Sequence, residues 1–408
     1  MRLAVDLHLH SRYAGGVSPA MTVENIALWA QRKGIGLLGT GDCLQADWLR
    51  EIEATMEEAE PGLFALKPEI AERVGRSLPP GLRRHLRYVL STEVCCAPPG
   101  TLPLGGIHHL IYFRSLDSVR RFRERIARYG DLREGRPELA LASRQLLENV
   151  LEHDATCHFA PAHVFNPWFS SLGTVGGGPS LEALFGELTP RLLAVETGLT
   201  STPAMCRRVS SLDRHSLFSC SDAHSLENIG RECTLVETEP NYAALFAALR
   251  PGPGQKILGT LKFPLDFTRH YRNYCGKCQG AFGGRICPQC GRPLVMGSRD
   301  RLEVVADRSE PVWPESSPPF QPLLPLAQVL AQLLSVGPDS KSVEQLYARL
   351  LAALGHERFI LTEAAHDEIA QAGTPQLARA IIAQRTVTPE LPPEKPTIPG
   401  DDQLSLGI

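Results

Sequence analysis

The chain reads as an α/β protein built on a largely parallel sheet, and three observations support this. Short apolar runs alternate with amphipathic helical stretches from residue 1 to about 250. Side chains able to bind metal recur where those runs finish. A four-cysteine cluster in basic surroundings follows them. Strands alternating with helices argue for a sheet covered by helices, either doubly wound or closed into a barrel. Barrel enzymes carry their chemistry where strands finish and loops begin.

The elements run in order as follows. Leu3–His10 is expected to be the first strand, with Asp6, His8 and His10 on one face and Val5, Leu7 and Leu9 on the other. Thr22 can cap a helix ending near Gly34, followed by the apolar run 35–38 and a second helical stretch from about Gln45. Further strand-like runs lie at Tyr88–Cys95, Ile107–Phe113, Thr156–Val164, Leu192–Glu196, Leu217–Cys220 and Cys233–Val236. Asp117–Tyr129 and Ser143–His153 read as helices between them.

A His-x-His pair alone is most often the solvent side of an edge strand, but this pair has company. Asp42 closes the second run in a glycine-bounded turn, and Glu93 and His108-His109 fall in the next two runs. His163, Glu196 and Asp222-x-His224 finish the later ones. Imidazoles and carboxylates gathered at one rim suit zinc, manganese, iron or magnesium. Two or three close cations can clamp a phosphodiester and activate water.

Composition sets limits. With 408 residues, 43% hydrophobic and 21% charged, the chain is long enough for two or three ordinary globular domains. No apolar run approaches the roughly 18–20 residues that span a bilayer, and no secretory segment is evident, so a cytoplasmic location is expected, nucleoid-associated in use. A net charge of −3 gives no whole-molecule attraction to nucleic acid, so any such binding requires a local patch. Seven of the eleven cysteines are scattered through apolar segments and read as buried thiols.

The other four, Cys275-x2-Cys278 and Cys287-x2-Cys290, have the spacing of a zinc ribbon, a closed four-thiolate site holding one structural zinc. From Arg250 to Arg301 ten basic residues face two acidic ones, a local net of +8, with aromatics interleaved. Arg269, Arg272, Tyr274, Lys277 and Arg285 are the expected DNA contacts, the cations for phosphate and the aromatic for stacking. A second basic run, Arg120 through Arg136, contains acids as well and reads as an exposed helix face. Beyond a proline-rich stretch, Leu326, Val329, Leu330, Leu333 and Leu334 form one helical stripe. Val343, Leu346, Tyr347, Leu350, Leu351 and Leu354 form another.

Taken as a set, DLHLHS at 6–11, GTGD at 39–42, APAHVFNPWF at 160–169, ETGL at 196–199 and SDAHS at 221–225 resemble the PHP phosphoesterases. With the cysteine cluster they resemble, more narrowly, the endonuclease Q family. That resemblance implies a PHP-type distorted (β/α)7 barrel with two or three divalent metals. It also implies the ligands His8, His10, Asp42, Glu93, His108, His163, Asp222 and His224. Glu93, His163, Asp222 and His224 would be catalytic, Glu93 as a bridging carboxylate, and Glu196 would contact substrate or water. Neighbours on a strand face opposite ways, and the family pattern favours His108 over His109. Some PHP proteins carry a further histidine after the first motif, whereas 11–18 here contains none.

The activity implied is hydrolysis of a DNA phosphodiester 5′ to a deaminated base (hypoxanthine, uracil, xanthine) or an abasic site, with a repair or replication partner such as a sliding clamp left open. A PHP phosphatase or exonuclease on small phosphates or DNA ends, and a non-catalytic DNA-binding protein, are the competing readings. The expected organisation is a catalytic barrel over 1–255 and a zinc-ribbon DNA-binding domain over 256–310. A linker over 311–325, a helical domain over 326–388 and a disordered tail over 389–408 would follow.

Overall fold

Seven short strands form a ring in the computed structural model, which describes residues 1–98, 100, 106–315 and 317–386. They are β1 (Arg2–Asp6), β2 (Leu37–Gly39), β3 (Arg87–Cys96), β4 (Ile107–Phe113), β5 (His158–Pro161), β6 (Val195–Glu196) and β7 (Leu217–Phe218). β1, β2 and β3 pair in parallel, with Val5 opposite Leu37 and Leu37 opposite Arg87. β4 is antiparallel to both β3 and β5, with Glu93 opposite Leu110 and His109 opposite Pro161. β6 and β7 are parallel.

Two seams close the ring without regular ladders. Leu193 N donates to Phe159 O (2.8 Å) and Val164 N to Glu196 O (2.9 Å), joining β5 to β6. Beyond β7, Leu9 forms a parallel bridge with Ala223, and Asp222 N donates to His8 O (2.9 Å). The result is the distorted seven-stranded barrel expected from the resemblance. One strand, β4, runs against the rest, so its beginning lies at the rim where its neighbours end.

The helices follow local signals. Thr22 caps Val23–Lys33, and Gly34, in the left-handed region, ends it. Gln45 caps Ala46–Thr55, and Ser143–His153 is helical as expected. Val89, Leu110, Tyr112, Ala160 and Phe218 belong to one apolar cluster lining the ring. The helix Tyr242–Leu249 joins that cluster, with the Tyr242 hydroxyl donating to Tyr112 O and Thr156 O (both 3.0 Å). The seven scattered cysteines are free and buried.

Several elements differ from the sequence reading. Regular strand in the first element stops at Asp6, and the run expected at 156–164 is strand only over His158–Pro161. A hairpin of Met56–Glu60 with Leu63–Leu66 was not anticipated. β8 (Cys233–Glu237) pairs with β1 and with β9 (Ile257–Lys262), and β10 (Phe320–Pro322) adds to β9 in parallel. The sheet thus runs through the position expected as a boundary at 255, and a strand lies inside the expected linker. The helix expected over 117–129 is α-helical only over Leu116–Ile126, so Arg136 lies on a loop rather than a helix face. Among the described residues five helices follow β10, from Leu326–Leu334 through Pro375–Arg385. The tail expected to be disordered, 389–408, lies outside the described residues.

Candidate metal centre and zinc ribbon

The rim of the ring gathers two groups of ligand-type side chains. In each of His8/His10/Asp222 and Glu93/His108/His163, one candidate ligand atom per residue lies within 4.8 Å of the others. Glu93 joins the groups. Its Oε1 is 3.0 Å from His108 Nδ1, 2.9 Å from His163 Nε2 and 3.5 Å from His8 Nε2, while Oε2 is 3.3 Å from His10 Nε2. Asp222 Oδ1 lies 3.5 Å from His8 Nε2 and 3.3 Å from His10 Nε2.

The donor set fits divalent cations. His8 Nε2, His10 Nε2, His163 Nδ1 and Asp222 Oδ1 are buried and lack a hydrogen-bond partner. Each such orphan costs about 1–3 kcal/mol, so several in one place call for an electropositive guest. Imidazole and carboxylate donors suit zinc, manganese or iron. Burial opposes charge throughout, yet Glu93 and Asp222 are held well below the usual carboxylate range by the facing imidazoles. Burial likewise opposes protonation of His8 and His10, but Glu196 beside the first and Asp42 beside the second hold both well above the usual histidine value, so a cation binding there would displace a proton from each Nε2.

Two expected site carboxylates support imidazoles. Asp42 Oδ1 is 2.9 Å from His10 Nδ1, while its Oδ2 accepts from Ser11 N (2.6 Å) and Ser11 Oγ (2.7 Å). Glu196 lies 3.0 Å from His8 Nδ1 through both oxygens and accepts from His163 N (2.7 Å). A carboxylate on Nδ1 fixes the tautomer that presents a bare Nε2, the arrangement found behind metal-binding histidines. Asp42 was expected to be a ligand; its partners are His10 and Ser11 instead. Asp6, on the same stretch, accepts from Ser221 N (2.9 Å) and Gly230 N (3.0 Å) and so anchors the loop carrying Asp222. His224 stands at the edge of the groups, its side chain 34% exposed, with Nδ1 2.9 Å from Asp222 O.

Backbone strain concentrates here. Of the five described non-glycine residues with positive φ, three are Asp42 (47°), His163 (29°) and Asp222 (47°). Such conformations cost on the order of 1–3 kcal/mol each, so the surrounding hydrogen bonds hold them. Gly198 permits the His163 turn, since a Cβ there would lie 2.3 Å from His163 Cβ.

His109 takes the opposite face of β4. Its Nε2 is 2.8 Å from Ser143 Oγ and its ring packs against Phe159 and Phe185. Arg136 was missed by sequence reasoning: its Nη1 lies 3.4 Å from Glu93 Oε2. The only local signal was an arginine set between Gly135 and Pro137.

The cysteines form the third group. Their four sulfurs lie within 4.8 Å of one another, with Cys275–Cys290 at 3.5 Å and Cys278–Cys287 at 3.8 Å. Tetrahedral zinc with ~2.3 Å bonds needs sulfurs about 3.8 Å apart. Gly291, after the last thiolate, has φ 69°. Arg269, Lys277 and Arg285 are exposed, as a phosphate-binding surface requires. Tyr274 is not available for base stacking: it is buried, donates to Gln279 Oε1 (2.6 Å) and packs against Trp168 and His270. A ribbon with little core of its own uses its aromatics as core. Arg272 is half-buried and 3.3 Å from Asp266, and Lys262, counted in the basic stretch, is buried against Glu232.

Residues 325–388 match a family model described as the MJ0043 C-terminal domain. The chain is 28% identical over 410 residues to the uncharacterized protein YqxK of Bacillus subtilis, covering 96% of each. It is 32% identical over 165 residues to the uncharacterized protein MJ0043 of Methanocaldococcus jannaschii, covering 40% of this chain and 16% of that protein. Among solved structures it is similar to the lesion-specific endonuclease PfuEndoQ from Pyrococcus furiosus. The TM-score is 0.80 at 29% identity, over 94% of this chain and 91% of that one. A structure of endonuclease Q in complex with a 27-mer duplex substrate carrying an abasic lesion at the active site gives a TM-score of 0.82, also at 29% identity, over 94% and 92%.

Proposed function

We propose that this chain, which has the endonuclease Q architecture over nearly its whole length, is a metal-dependent endonuclease acting on damaged DNA. It hydrolyses the phosphodiester 5′ to a deaminated base (hypoxanthine, uracil, xanthine) or an abasic site, leaving a 3′-hydroxyl and a 5′-phosphate. The observation that carries this reading is the pair of ligand groups joined by Glu93. No helix among the described residues is long and apolar enough to cross a membrane. Work on chromosomal DNA places the protein in the cytoplasm, and a sliding clamp is one candidate for recruiting it.

Divalent cations held by His8, His10 and Asp222, and by Glu93, His108 and His163, would supply charge to clamp the phosphate and acidify a water. The chain's own residues prepare that chemistry. Glu196 and Asp42 hold the Nδ1 protons of His8 and His10, so a cation that displaced the Nε2 protons would meet both Nε2 lone pairs. Glu93 spreads one carboxylate over both groups. His224 keeps its proton on Nδ1 against the Asp222 carbonyl, leaving Nε2 as an acceptor. Burial of Glu93, His8 and His10 keeps bulk water from screening these charges. The exposed cations of the ribbon bind phosphates outside the reacting centre.

The test is a covalently closed circle containing one inosine, incubated with the protein and manganese, magnesium or zinc. Nicking at the lesion is expected, together with more metal per chain than the single ribbon zinc. Asp222→Ala and His163→Ala should abolish nicking while duplex affinity stays within about threefold, because the basic contacts lie elsewhere. An intact circle alongside degraded linear ends would identify an exonuclease instead.

A further inference from the structure

The loop 130–137 brings a cation into the metal centre from outside the ring of strands. It is fastened on both sides. Gly135 N donates to Tyr13 O (3.0 Å), Cys95 N donates to Pro137 O (2.9 Å), and Glu138–Leu139 pairs in parallel with Cys95–Cys96. Gly135 passes so close to Asp42 that a Cβ would lie 2.8 Å from its carboxyl carbon. The backbone thus delivers Arg136 to the site rather than leaving it to a flexible side chain.

What the guanidinium does there is informative. Its hydrogen bond to Glu93 Oε2 is single and long, 3.4 Å, with the Arg136 side chain 27% exposed and that of Glu93 1%. Arginine offers five donors in a planar fork. Arginine frequently pairs with a carboxylate in a short bidentate form, as Arg208 does with Glu303 at 2.6 and 2.8 Å. Arg136 leaves most of its fork uncommitted among the described residues. A guanidinium stays charged in proteins, so Arg136 brings a permanent positive charge to the side of Glu93.

We propose that Arg136 binds a non-bridging oxygen of the scissile phosphate, as a fixed monovalent cation working beside the metals. This rests on the nuclease reading and adds a substrate-contacting residue to it. Glu93 holds the guanidinium in place in the free protein, and the incoming phosphate takes the unused donors. As negative charge builds on the phosphoryl oxygens, a donor already in position stabilises it without reorganisation.

Arg136→Ala and Arg136→Lys, each checked for wild-type metal content and thermal unfolding, test this. Single-turnover cleavage of the inosine duplex by the alanine variant should fall about 100-fold or more, the scale of losing one preorganised donor. Millimolar methylguanidinium should recover part of the rate, and lysine should retain more than alanine. A second readout needs no turnover. The affinity of the zinc-replete protein, with cleavage prevented by Asp222→Ala, for a duplex with one abasic site, measured by fluorescence anisotropy, should fall on adding Arg136→Ala. The slope of log affinity against log salt should drop by about 0.9, the value for one phosphate contact.

An unchanged salt slope, a rate restored by extra metal, or a wild-type rate in the alanine variant would each show that Arg136 merely balances Glu93, and would overturn the proposal. Hydrolysis of bis(p-nitrophenyl) phosphate separates the two readings. Loss of this activity in the variant, where wild-type protein cleaves the diester but no DNA, would sustain Arg136 while overturning DNA as substrate. A wild-type protein inert toward both would overturn both.

Discussion

His108 and His109 are neighbours on one strand and so part company across the sheet. His108 faces Glu93 and His163, where imidazole lone pairs are left for a metal. His109 is buried among aromatics, which pushes its pKa down to about 3, and its environment is that of a neutral core residue. The two should respond differently to substitution. His108→Ala is expected to lower bound metal and reduce nicking at least 100-fold. His109→Gln should keep full metal content and most activity, at a stability cost of about 1–2 kcal/mol for a disturbed buried hydrogen bond. Metal analysis and denaturant unfolding of the two purified variants would check this. Equal metal loss from both would show that the strand's two faces are wrongly assigned.

The helix Val23–Lys33 links the barrel to the C-terminal helices. Lys33 Nζ lies 2.8 Å from Glu357 Oε2, with side chains only 3% and 6% exposed. Glu357 also accepts from Leu326 N (3.1 Å) and from the Tyr347 hydroxyl (2.7 Å). Trp29 stacks on Tyr347, completing the seam. A buried pair is costly to form, but removing one partner leaves an uncompensated charge worth about 3–5 kcal/mol. Glu357→Gln is therefore expected to loosen the C-terminal helices first. Limited proteolysis should cut near residues 311–325 well before the barrel, with bound metal in the barrel retained. Cleavage at the wild-type rate would show the seam to be unimportant. Sequence patterning could announce these helices through their leucine stripes, yet nothing in it paired Lys33 with Glu357, because the two are brought together only by docking.

Across the whole molecule, several histidines outside the metal centre are buried or half-buried in surroundings that disfavour their charged form. Burial, reinforced by Arg250, pushes His158 down to about 3. Burial also pushes His215 to about 4, and burial with Arg84 and Arg358 nearby pushes His356 to about 4. A folded-state pKa below the unfolded value near 6.5 means that the unfolded chain binds more protons between those limits. Their contribution to stability is thus present above about pH 6.5 and lost as the pH falls toward 4. His356 adds a structural reason, since its Nδ1 accepts from Phe359 N (3.0 Å) at a helix start and cannot do so once protonated. Thermal unfolding followed from pH 7 to 4.5 should show falling Tm, and His356→Asn, which can still cap the helix, should flatten part of that fall. An identical pH dependence in the variant would exclude His356 from it.

Local chemistry by itself determined much of this protein. Periodicity marked the helices and most strands, the Cys-x2-Cys pairs defined the ribbon, and the recurring imidazoles and carboxylates at strand ends announced a metal centre. Those features depend on neighbours within a few residues, where side-chain spacing dictates geometry. The tertiary structure decided what depends on distant segments meeting. It set Asp42 and Glu196 behind His10 and His8 and turned Tyr274 inward. It ran the sheet past residue 255 and carried Arg136 from a loop into the reach of Glu93. The division has a physical cause: spacing along the chain fixes which face a side chain occupies, whereas its partner is chosen by packing, burial and charge after the chain has closed on itself.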